Sequence, residues 1–375
     1  MSGEPPHVGR RPSLAGPADP HAPEEPPSPF RATFGIAFAL AAAVTFGVTA
    51  PVAKYLLATA SPLALAGLLY AGGGVGLALA SAARRSAEQE ARLRAADVPF
   101  LLGAILLGGV IGPVLMLFGF QRISGISGAL LLNLEAPVTA TVATLLFKEH
   151  LGKRGLLALG LVVAGGVLLG RPSQTGQTNP WGALAVLGAC SAWGIENNLM
   201  TRLAQRDPWS VARTKMLAAG VCSLFLLRVT GGEFPEPETV GIALIVGAWG
   251  YGASNVLALK AMRELGAARQ ATLFASAPFI GAVAAIFILH ESPDLWSLSA
   301  GALMLAGIAL LIAERHAHRH RHAPVEHDHA HTHEDQHHGH PHTPPVTGTH
   351  AHPHQHEPVE HEHPHTPDAH HRHEH

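Results

Sequence analysis

The sequence predicts an all-α integral membrane protein of about ten transmembrane helices, built as two inverted five-helix repeats with disordered polar tails. About ten apolar runs follow one another from Thr33 to Ile312, and most are near the ~20 residues that cross a bilayer as a helix. The run from Ala267 to Leu289 repeats the design of the run from Gly125 to Phe147 about 141 residues later, which indicates a tandem duplication. Basic residues also concentrate on alternate links between the runs.

The overall composition is less apolar than such a fold requires because it averages two polar tails with a far more apolar centre. Of the 375 residues, 47% are hydrophobic and 14% are charged. The formal net charge of -2 gives no reason to expect a nucleic-acid partner. Both cysteines, Cys190 and Cys222, lie inside apolar runs, which favours packing roles for them.

Residues 1–32 form a polar leader rich in proline, glutamate and glycine, which we expect to be disordered and cytoplasmic. A signal peptide would place its apolar core directly after a short basic start, whereas about thirty polar residues come first here. We expect the first repeat over 33–170, the second over 181–313, and a disordered cytoplasmic tail over 314–375.

The apolar runs predict five helices in each repeat. They extend approximately over Thr33–Leu57, Leu63–Ala83, Val98–Phe120, Gly125–Phe147, Leu151–Gly170, Trp181–Met200, Val211–Val229, Val240–Leu259, Ala267–Leu289 and Leu295–Ile312. Because five is an odd number, the second repeat enters the membrane from the opposite side, so the repeats are inverted.

The distribution of lysine and arginine predicts the orientation. One set of alternating segments holds 21 of the 25 basic residues, and the other set holds Lys54, Arg122, Arg171 and Arg228. Both termini are therefore expected in the cytoplasm. Lys54, Arg122 and Lys260 lie within a turn or two of helix ends, where snorkelling to the membrane surface would account for them.

A proline stands inside the fourth and the ninth runs, at Pro137 and Pro278. Each removes a backbone donor and bends or interrupts its helix. Backbone carbonyls freed at such a break can line a ligand site near the middle of the membrane. The repeats have diverged at the charged position nearby, where the first has Glu135 and the second has Ser276.

Polar side chains inside the apolar runs are the candidates for a substrate or ion path. Because a carboxylate near the bilayer centre costs about 2.5–3.5 kcal/mol on insertion scales, glutamates there should face protein or water. The fourth and sixth helices belong to different repeats and can face one cavity, where reversible protonation of a carboxyl would suit proton coupling. The alternative is a neutral or paired glutamate that fixes helix packing. With the two prolines, the candidates are Asn133, Glu135, Pro137, Trp193, Glu196, Asn197, Asn198, Asn255 and Pro278.

Two further patterns favour structural explanations. Glu149 and Glu291 directly follow the fourth and ninth runs but fall on opposite membrane faces, which suits a structural signal at a helix end. The stretch from Gly125 to Gly128 resembles the GxSG of intramembrane serine proteases, yet no histidine base lies within any run. We therefore expect no enzyme.

The C-terminal tail holds 23 of the 27 histidines, mixed with acidic residues and prolines, and cannot build a core. Neutral imidazoles bind Zn, Ni, Cu or Co, so we expect the tail to take up several ions with low selectivity. A low-complexity extension with incidental metal affinity is the alternative. The candidate metal ligands are His327, His329, His331, His333, His350, His352, His354, His356, His361, His363 and His365.

The two-repeat region resembles the EamA-type branch of the drug/metabolite transporter superfamily. The resemblance covers about Thr33 to Ile312. Three kinds of motif carry it: the aromatic-glycine pairs of helices one and six, the segments around the two prolines, and the glutamates before the last hairpin helices. In that order they are Phe46-Gly47 and Trp193-Gly194, Leu134-Glu135-Ala136-Pro137 and Ser276-Ala277-Pro278, and Glu149 and Glu291. The resemblance implies a plasma-membrane carrier (the inner membrane in a bacterium), commonly an exporter of metabolites, amino acids or drugs, working by alternating access and often coupled to protons.

Three functions remain open at this point. The first is a secondary transporter of a small organic solute, with Glu135 and Glu196 near a central cavity. The second is a divalent-metal efflux carrier for Zn, Ni or Co, although the runs lack the Asp/His clusters of a dedicated metal path. The third is a membrane metal sensor that transports nothing. No cofactor is required; the expected partners are the lipid bilayer, a small-molecule substrate, divalent metal ions and, as an open alternative, a second copy of the chain.

Overall fold

The computed structural model of the protein describes residues 29–82, 92–147, 152–171, 179–203, 206–265 and 267–313, together with four short stretches of the C-terminal tail. Most of the predicted leader and the glutamate at position 149 lie outside the described residues.

Ten helices, here α1 to α10, account for the described residues up to 313. Seven of them contain a span long and apolar enough to cross a membrane, while α5 and the apolar part of α10 are shorter and α6 carries one glutamate and two asparagines. The all-helical membrane fold is thus confirmed. The bounds are Pro29–Leu56 (α1), Pro62–Ala82 (α2), Ala95–Phe120 (α3), 125–147 (α4), Lys153–Leu169 (α5), Pro180–Met200 (α6), Pro208–Val229 (α7), 237–265 (α8), 267–288 (α9) and Leu295–Ala313 (α10).

Both repeats interrupt their α-helical geometry at corresponding places. The third helix of each repeat contains a π-helical stretch, at Ile105–Ile111 in α3 and at Ala248–Ala253 in α8. The fourth helix of each is broken as well: α4 by a 3-10 turn at Leu132–Leu134, and α9 by the gap between Phe274 and Ala277. The duplication therefore extends to local irregularities, which are common at functional sites of membrane helices.

The two prolines follow these breaks for a physical reason. Pro278 lies in the first turn of the second α9 segment, and Pro137 lies two residues after Glu135 begins the second segment of α4. A proline has no N–H to donate, and the first turn of a helix is where that donor would be unpaired anyway. The expected interruption at the prolines is therefore confirmed, with each break on the N-terminal side of its proline.

Helices at corresponding places in the two repeats make corresponding contacts. Helix α1 of the first repeat packs against α8 and α9 of the second repeat. Helix α6 of the second repeat packs in the corresponding way against α3 and α4 of the first. Likewise, α2 contacts α8 while α7 contacts the π-helical part of α3. Helices α2 and α7 hold corresponding places in the two repeats, as do α5 and α10, and the two helices of each pair pack directly against each other. The ten helices are thus one bundle in which the two repeats enclose the centre together.

The glycines of the two aromatic-glycine pairs make equivalent close contacts. A Cβ added to Gly47 of α1 would collide with the carbonyl oxygen of Ala277 in α9. A Cβ added to Gly194 of α6 would lie 2.6 Å from Val138 Cγ1 and 3.0 Å from the backbone nitrogen of Thr139 in α4. Each glycine therefore lets a helix of one repeat approach a broken helix of the other.

We expect Gly194→Ala to destabilise the bundle by about 1–3 kcal/mol, because the added methyl group overpacks the contact between α6 and α4. Thermal unfolding in detergent micelles would measure the loss. Gly160→Ala in α5 is the matched control, since nothing lies within 4 Å of its added Cβ and alanine favours a helix. Equal melting temperatures for the two variants would contradict the close contact.

The links between helices contact one another on the two faces that the predicted topology assigns them. On the expected cytoplasmic side, Arg206 of the α6–α7 link donates to Asp97 at the start of α3, with Nε 2.7 Å from Oδ2. On the other side, the backbone N–H of Asn179, before α6, donates to the carbonyl of Arg122, after α3. These contacts agree with the odd number of helices in each repeat.

Two charged side chains bind the backbone at the turn between α3 and α4, one at the end of α3 and one at the start of α4. Lys54 Nζ donates to the carbonyls of Phe120 and Ile123, each at 2.6 Å, so it binds the C-terminal end of α3. Lys54, which the sequence places within a turn or two of a helix end, is half-exposed there and binds backbone carbonyls of a neighbouring helix. Glu291 accepts from the backbone N–H groups of Gly125 at 2.6 Å and Ile126 at 2.9 Å, at the N-terminal end of α4.

Glu291→Gln should destabilise the protein by about 1.5–3 kcal/mol, the range for hydrogen bonds to a charged group, because an amide offers one acceptor oxygen instead of two and no charge. The residue before it, His290, already adopts a left-handed backbone conformation, with φ 53°, at the end of α9. Glu233→Gln, at an exposed carboxyl, serves as the control. A melting temperature that falls no further for Glu291→Gln than for this control would argue against the contact.

The described part of the tail consists of four short strands in two antiparallel pairs, which we did not expect. Ala317–Arg321 pairs with Glu360–Pro364, and Glu326–His331 pairs with His350–Gln355. Alternation of histidine with other residues permits an extended backbone, but a two-stranded pair is only marginally stable by itself in water. The strands therefore add no core comparable to that of the helices.

Candidate functional site

The two glutamates predicted within the membrane lie in one polar region between the repeats. Glu135 begins the second segment of α4, directly after the 3-10 turn, and is half-buried. The amide Nδ2 of Asn197 in α6 donates to Glu135 Oε1 at 2.7 Å and lies 3.3 Å from Thr139 Oγ1. Because α4 and α6 belong to different repeats, this contact joins the two halves through a carboxyl group.

Glu196 is more deeply buried than Glu135 and is held by an ion pair. Its side chain is 6% exposed, and Lys215 Nζ of α7 lies 2.6 Å from Glu196 Oε1, with the lysine side chain 17% exposed. The other oxygen, Oε2, contacts α3 so closely that a Cβ added to Gly108 would collide with it. Glu196 is thus fixed between α3 and α7.

Lys215 was missed as a site residue because its place near the start of the seventh run groups it with the basic residues of the cytoplasmic link. A signal for it was present in the sequence. Lys215 is the fifth residue of the apolar run that begins at Val211, and an ionisable residue at membrane depth is a functional candidate by default.

One backbone carbonyl in the π-helical stretch of α3 accepts hydrogen bonds from side chains of both repeats. The Gly108 oxygen accepts from Tyr70 Oη of α2 at 2.7 Å and from Trp193 Nε1 of α6 at 3.0 Å. A Cβ on Gly112 would lie 2.7 Å from Trp193 Nε1, so a second glycine makes room for the indole. Trp193 was predicted as a site residue, whereas Tyr70 was not, because a lone tyrosine in an apolar run carries no distinctive pattern.

An aromatic cluster adjoins this polar region. The rings of Tyr70 and Tyr251 have centroids 5.4 Å apart, Phe46 and Tyr251 are 5.7 Å apart and nearly perpendicular, and Phe46 and Phe274 are 5.4 Å apart. These residues come from α1, α2, α8 and α9. The central region therefore has an aromatic side and a charged side.

The remaining predicted polar residues divide between this region and the helix packing around it. Asn198 Nδ2 donates to the carbonyls of Gly194 at 2.8 Å and Thr139 at 3.2 Å, so it fastens α6 to α4. Asn255 Nδ2 donates within its own helix to the carbonyl of Tyr251, in the aromatic cluster. Asn133 is turned away from both glutamates: it donates to the carbonyl of Leu130 and approaches the Met304 sulfur of α10 at 3.9 Å.

The tail histidines proposed as metal ligands are partly described. The backbone register pairs the three histidines of one strand with three of the next, and His361 and His363 also lie in a strand. His333, His356 and His365 lie outside the described residues. Among the described residues, no group of three or more His, Cys, Asp or Glu side chains could hold a metal ion. The paired positions are His327 with His354, His329 with His352, and His331 with His350.

Corresponding positions in the other repeat lack the ion pair. A Cβ added to Gly250, in the π-helical stretch of α8, would collide with Thr49 Oγ1 of α1, just as one on Gly108 would collide with Glu196. Counted from the proline that begins each helix, Lys215 of α7 corresponds to Leu69 of α2. One repeat therefore has a carboxylate and an ammonium group where the other has a hydroxyl and an alkyl group.

Comparison with known proteins agrees with this architecture. The family model of the EamA-like transporter family matches residues 33–171 and 180–313. An uncharacterized transporter of Methanothermobacter thermautotrophicus is 27% identical over 297 residues, which cover 75% of this chain and 87% of the relative. An uncharacterized protein of Pseudomonas aeruginosa is 30% identical over 199 residues, covering 53% of this chain and 68% of the relative.

A crystal structure of another protein, 18% identical, covers 75% of this chain and 97% of its own with a TM-score of 0.54, so it shares the fold. The two family matches fall on the two repeats and together cover more than half of the chain. The protein is therefore a multi-pass membrane transporter that belongs to the EamA-like transporter family.

Proposed function

We propose that the protein is a secondary transporter that exports a small organic solute by alternating access, with a proton and the substrate exchanging at Glu135. The observation that carries the proposal is the difference between the two glutamates within the membrane. Glu196 has an ionic partner in Lys215, whereas Glu135 accepts a hydrogen bond from the neutral amide of Asn197.

A carboxylate within the membrane is unfavourable unless a positive charge accompanies it. At Glu135 that charge can be a proton or a cationic group of the substrate, and the two compete for one carboxyl. Competition of this kind couples the movement of one species to the other, since each state can bind only one of them. The neighbouring tyrosine and phenylalanine rings would bind the apolar or cationic part of such a solute.

Transport driven by an imposed proton gradient tests this proposal. Purified protein in proteoliposomes, first screened for solutes by thermal shift, should accumulate a solute when the gradient is present. Removal of the residues after Ile312 should leave that transport unchanged. Divalent-metal flux instead would favour a metal efflux carrier, and metal binding that depends on the tail without any flux would favour a membrane sensor.

We assign the protein to the plasma membrane, the inner membrane in a bacterium, with both termini in the cytoplasm. The strong excess of basic residues on one set of links supports this orientation. Reporter fusions after residues 32 and 313 should both report a cytoplasmic location. Reporters on different sides of the membrane would contradict the even number of helices.

The histidine-rich tail is proposed to bind Zn, Ni or Co, several ions per chain and with low selectivity, as expected of neutral imidazoles. Equilibrium metal binding by the full-length protein and by the protein ending at Ile312 would test this. The truncated protein should lose most of the bound metal. Equal binding by both would place the metal elsewhere.

A further inference from the structure

We propose that Lys215 is a positioning residue that keeps Glu196 ionised and thereby leaves Glu135 as the single carboxyl that changes its charge during transport. The inference rests on the proposed function and adds to it a division of roles between two glutamates that the sequence presents as equivalent candidates.

The first step is the geometry of the ion pair. Lys215 Nζ lies 2.6 Å from Glu196 Oε1, and both side chains are largely removed from solvent. Once both are buried, each charge is the main compensation for the other, so neither can be neutralised without leaving its partner unpaired. The carboxylate of Glu196 and the ammonium group of Lys215 are therefore each other's charge partner.

The second step is the close packing of Glu196 against α3. Its Oε2 side contacts the backbone of α3 at Gly108, where only a glycine leaves enough room. The Gly108 carbonyl is in turn engaged by Tyr70 and Trp193. The carboxylate is thus confined between two helices of different repeats, as suits a fixed charge and not an exchanging one.

The third step is the contrast with Glu135. Its direct partner is the Asn197 amide, and the titratable groups that interact with it electrostatically are Glu196, Lys215, Tyr70 and Cys190. The cation that acts on it electrostatically, Lys215, is already paired with Glu196. Glu135 must therefore take its compensating charge from outside the protein, one charge in each cycle.

The fourth step is the comparison with the other repeat. At the positions that correspond to Glu196 and Lys215 the first repeat has Thr49, which donates to the carbonyl of Thr45 in its own helix, and Leu69, which is buried. The scaffold thus accepts two neutral residues at these corresponding positions. The ion pair of the second repeat is an addition to the fold that charge, and not packing alone, explains.

Infrared difference spectroscopy of the full-length protein in lipid vesicles, titrated with acid, tests the inference without a known substrate. The C=O stretch of a protonated carboxyl is separated from the bands of carboxylates. We expect one titrating membrane carboxyl in the wild type, lost in Glu135→Gln. Lys215→Leu should add a second, because Glu196 then has no cation and must take up a proton.

Three further variants make the result specific. Lys215→Arg should restore the single titrating carboxyl, since it keeps the positive charge. Glu196→Thr combined with Lys215→Leu should also show one, because the added carboxyl is gone. Lys260→Leu, the same chemical change at an exposed position of α8, should resemble the wild type.

The outcomes separate this inference from the proposed function. A Lys215→Leu spectrum identical to that of the wild type would overturn the role of Lys215, as would a wild-type band that Glu135→Gln leaves intact and Glu196→Thr removes. A wild type without any titrating carboxyl, together with a new band in Lys215→Leu, would support the fixed charge on Glu196 while contradicting proton exchange at Glu135.

Discussion

Glu135→Gln is expected to abolish proton-driven accumulation of the solute, down to the level of vesicles without protein. The amide keeps the size of the side chain and can still bond to Asn197, but it has no proton to exchange and no charge to offer a cation. Exchange of solute across the membrane without a proton gradient should become independent of pH. Solute flux with and without an imposed gradient, measured over a range of pH in the same proteoliposomes, checks both expectations.

The control for this variant is Glu238→Gln, which makes the same chemical change at an exposed carboxyl in the first turn of α8. It should transport like the wild type. If Glu135→Gln moved every solute normally and kept the wild-type dependence on pH, Glu135 would have no part in coupling and the glutamate would be a packing residue.

Lys215→Leu is expected to cost about 3–5 kcal/mol of stability, because it leaves a buried carboxylate without its cation. Thermal unfolding in detergent micelles measures it. A loss no larger than that of Lys260→Leu, the same change at an exposed lysine, would contradict the buried ion pair.

The double variant Glu196→Thr with Lys215→Leu should recover much of this loss, since it introduces the residues that the other repeat carries at the corresponding positions. A double-mutant cycle with the two single variants isolates the interaction between the side chains. Additive losses would mean that the two groups do not depend on each other, and the fixed-charge interpretation would fail.

The helical framework could be predicted from the sequence because it depends on local properties. Runs of apolar residues, the two prolines and the repeat of about 141 residues each report directly on helix length, on breaks and on duplication. Glu135, Glu196, Asn197 and Trp193 were identifiable for the same reason, since a polar group inside an apolar run stands out by itself.

What the sequence could not provide were partners from different helices. The bond from Lys54 to the end of α3, the pair of Lys215 with Glu196, and the carbonyl of Gly108 shared by two side chains all join residues far apart in the chain. The turned-away position of Asn133 is of the same kind. Hydropathy and spacing describe one helix at a time, so they carry no signal for which helices meet or which way a side chain faces.

The correspondence between the two repeats affects how a solute would lie between them. Phe46 corresponds to Trp193 and Ser276 to Glu135, so the aromatic cluster and the charged cluster include corresponding positions of the two repeats. The helices of the two repeats are arranged in corresponding ways, but the side chains between the repeats are not. The two ends of a bound molecule would therefore meet different side chains, aromatic rings at one end and charged groups at the other.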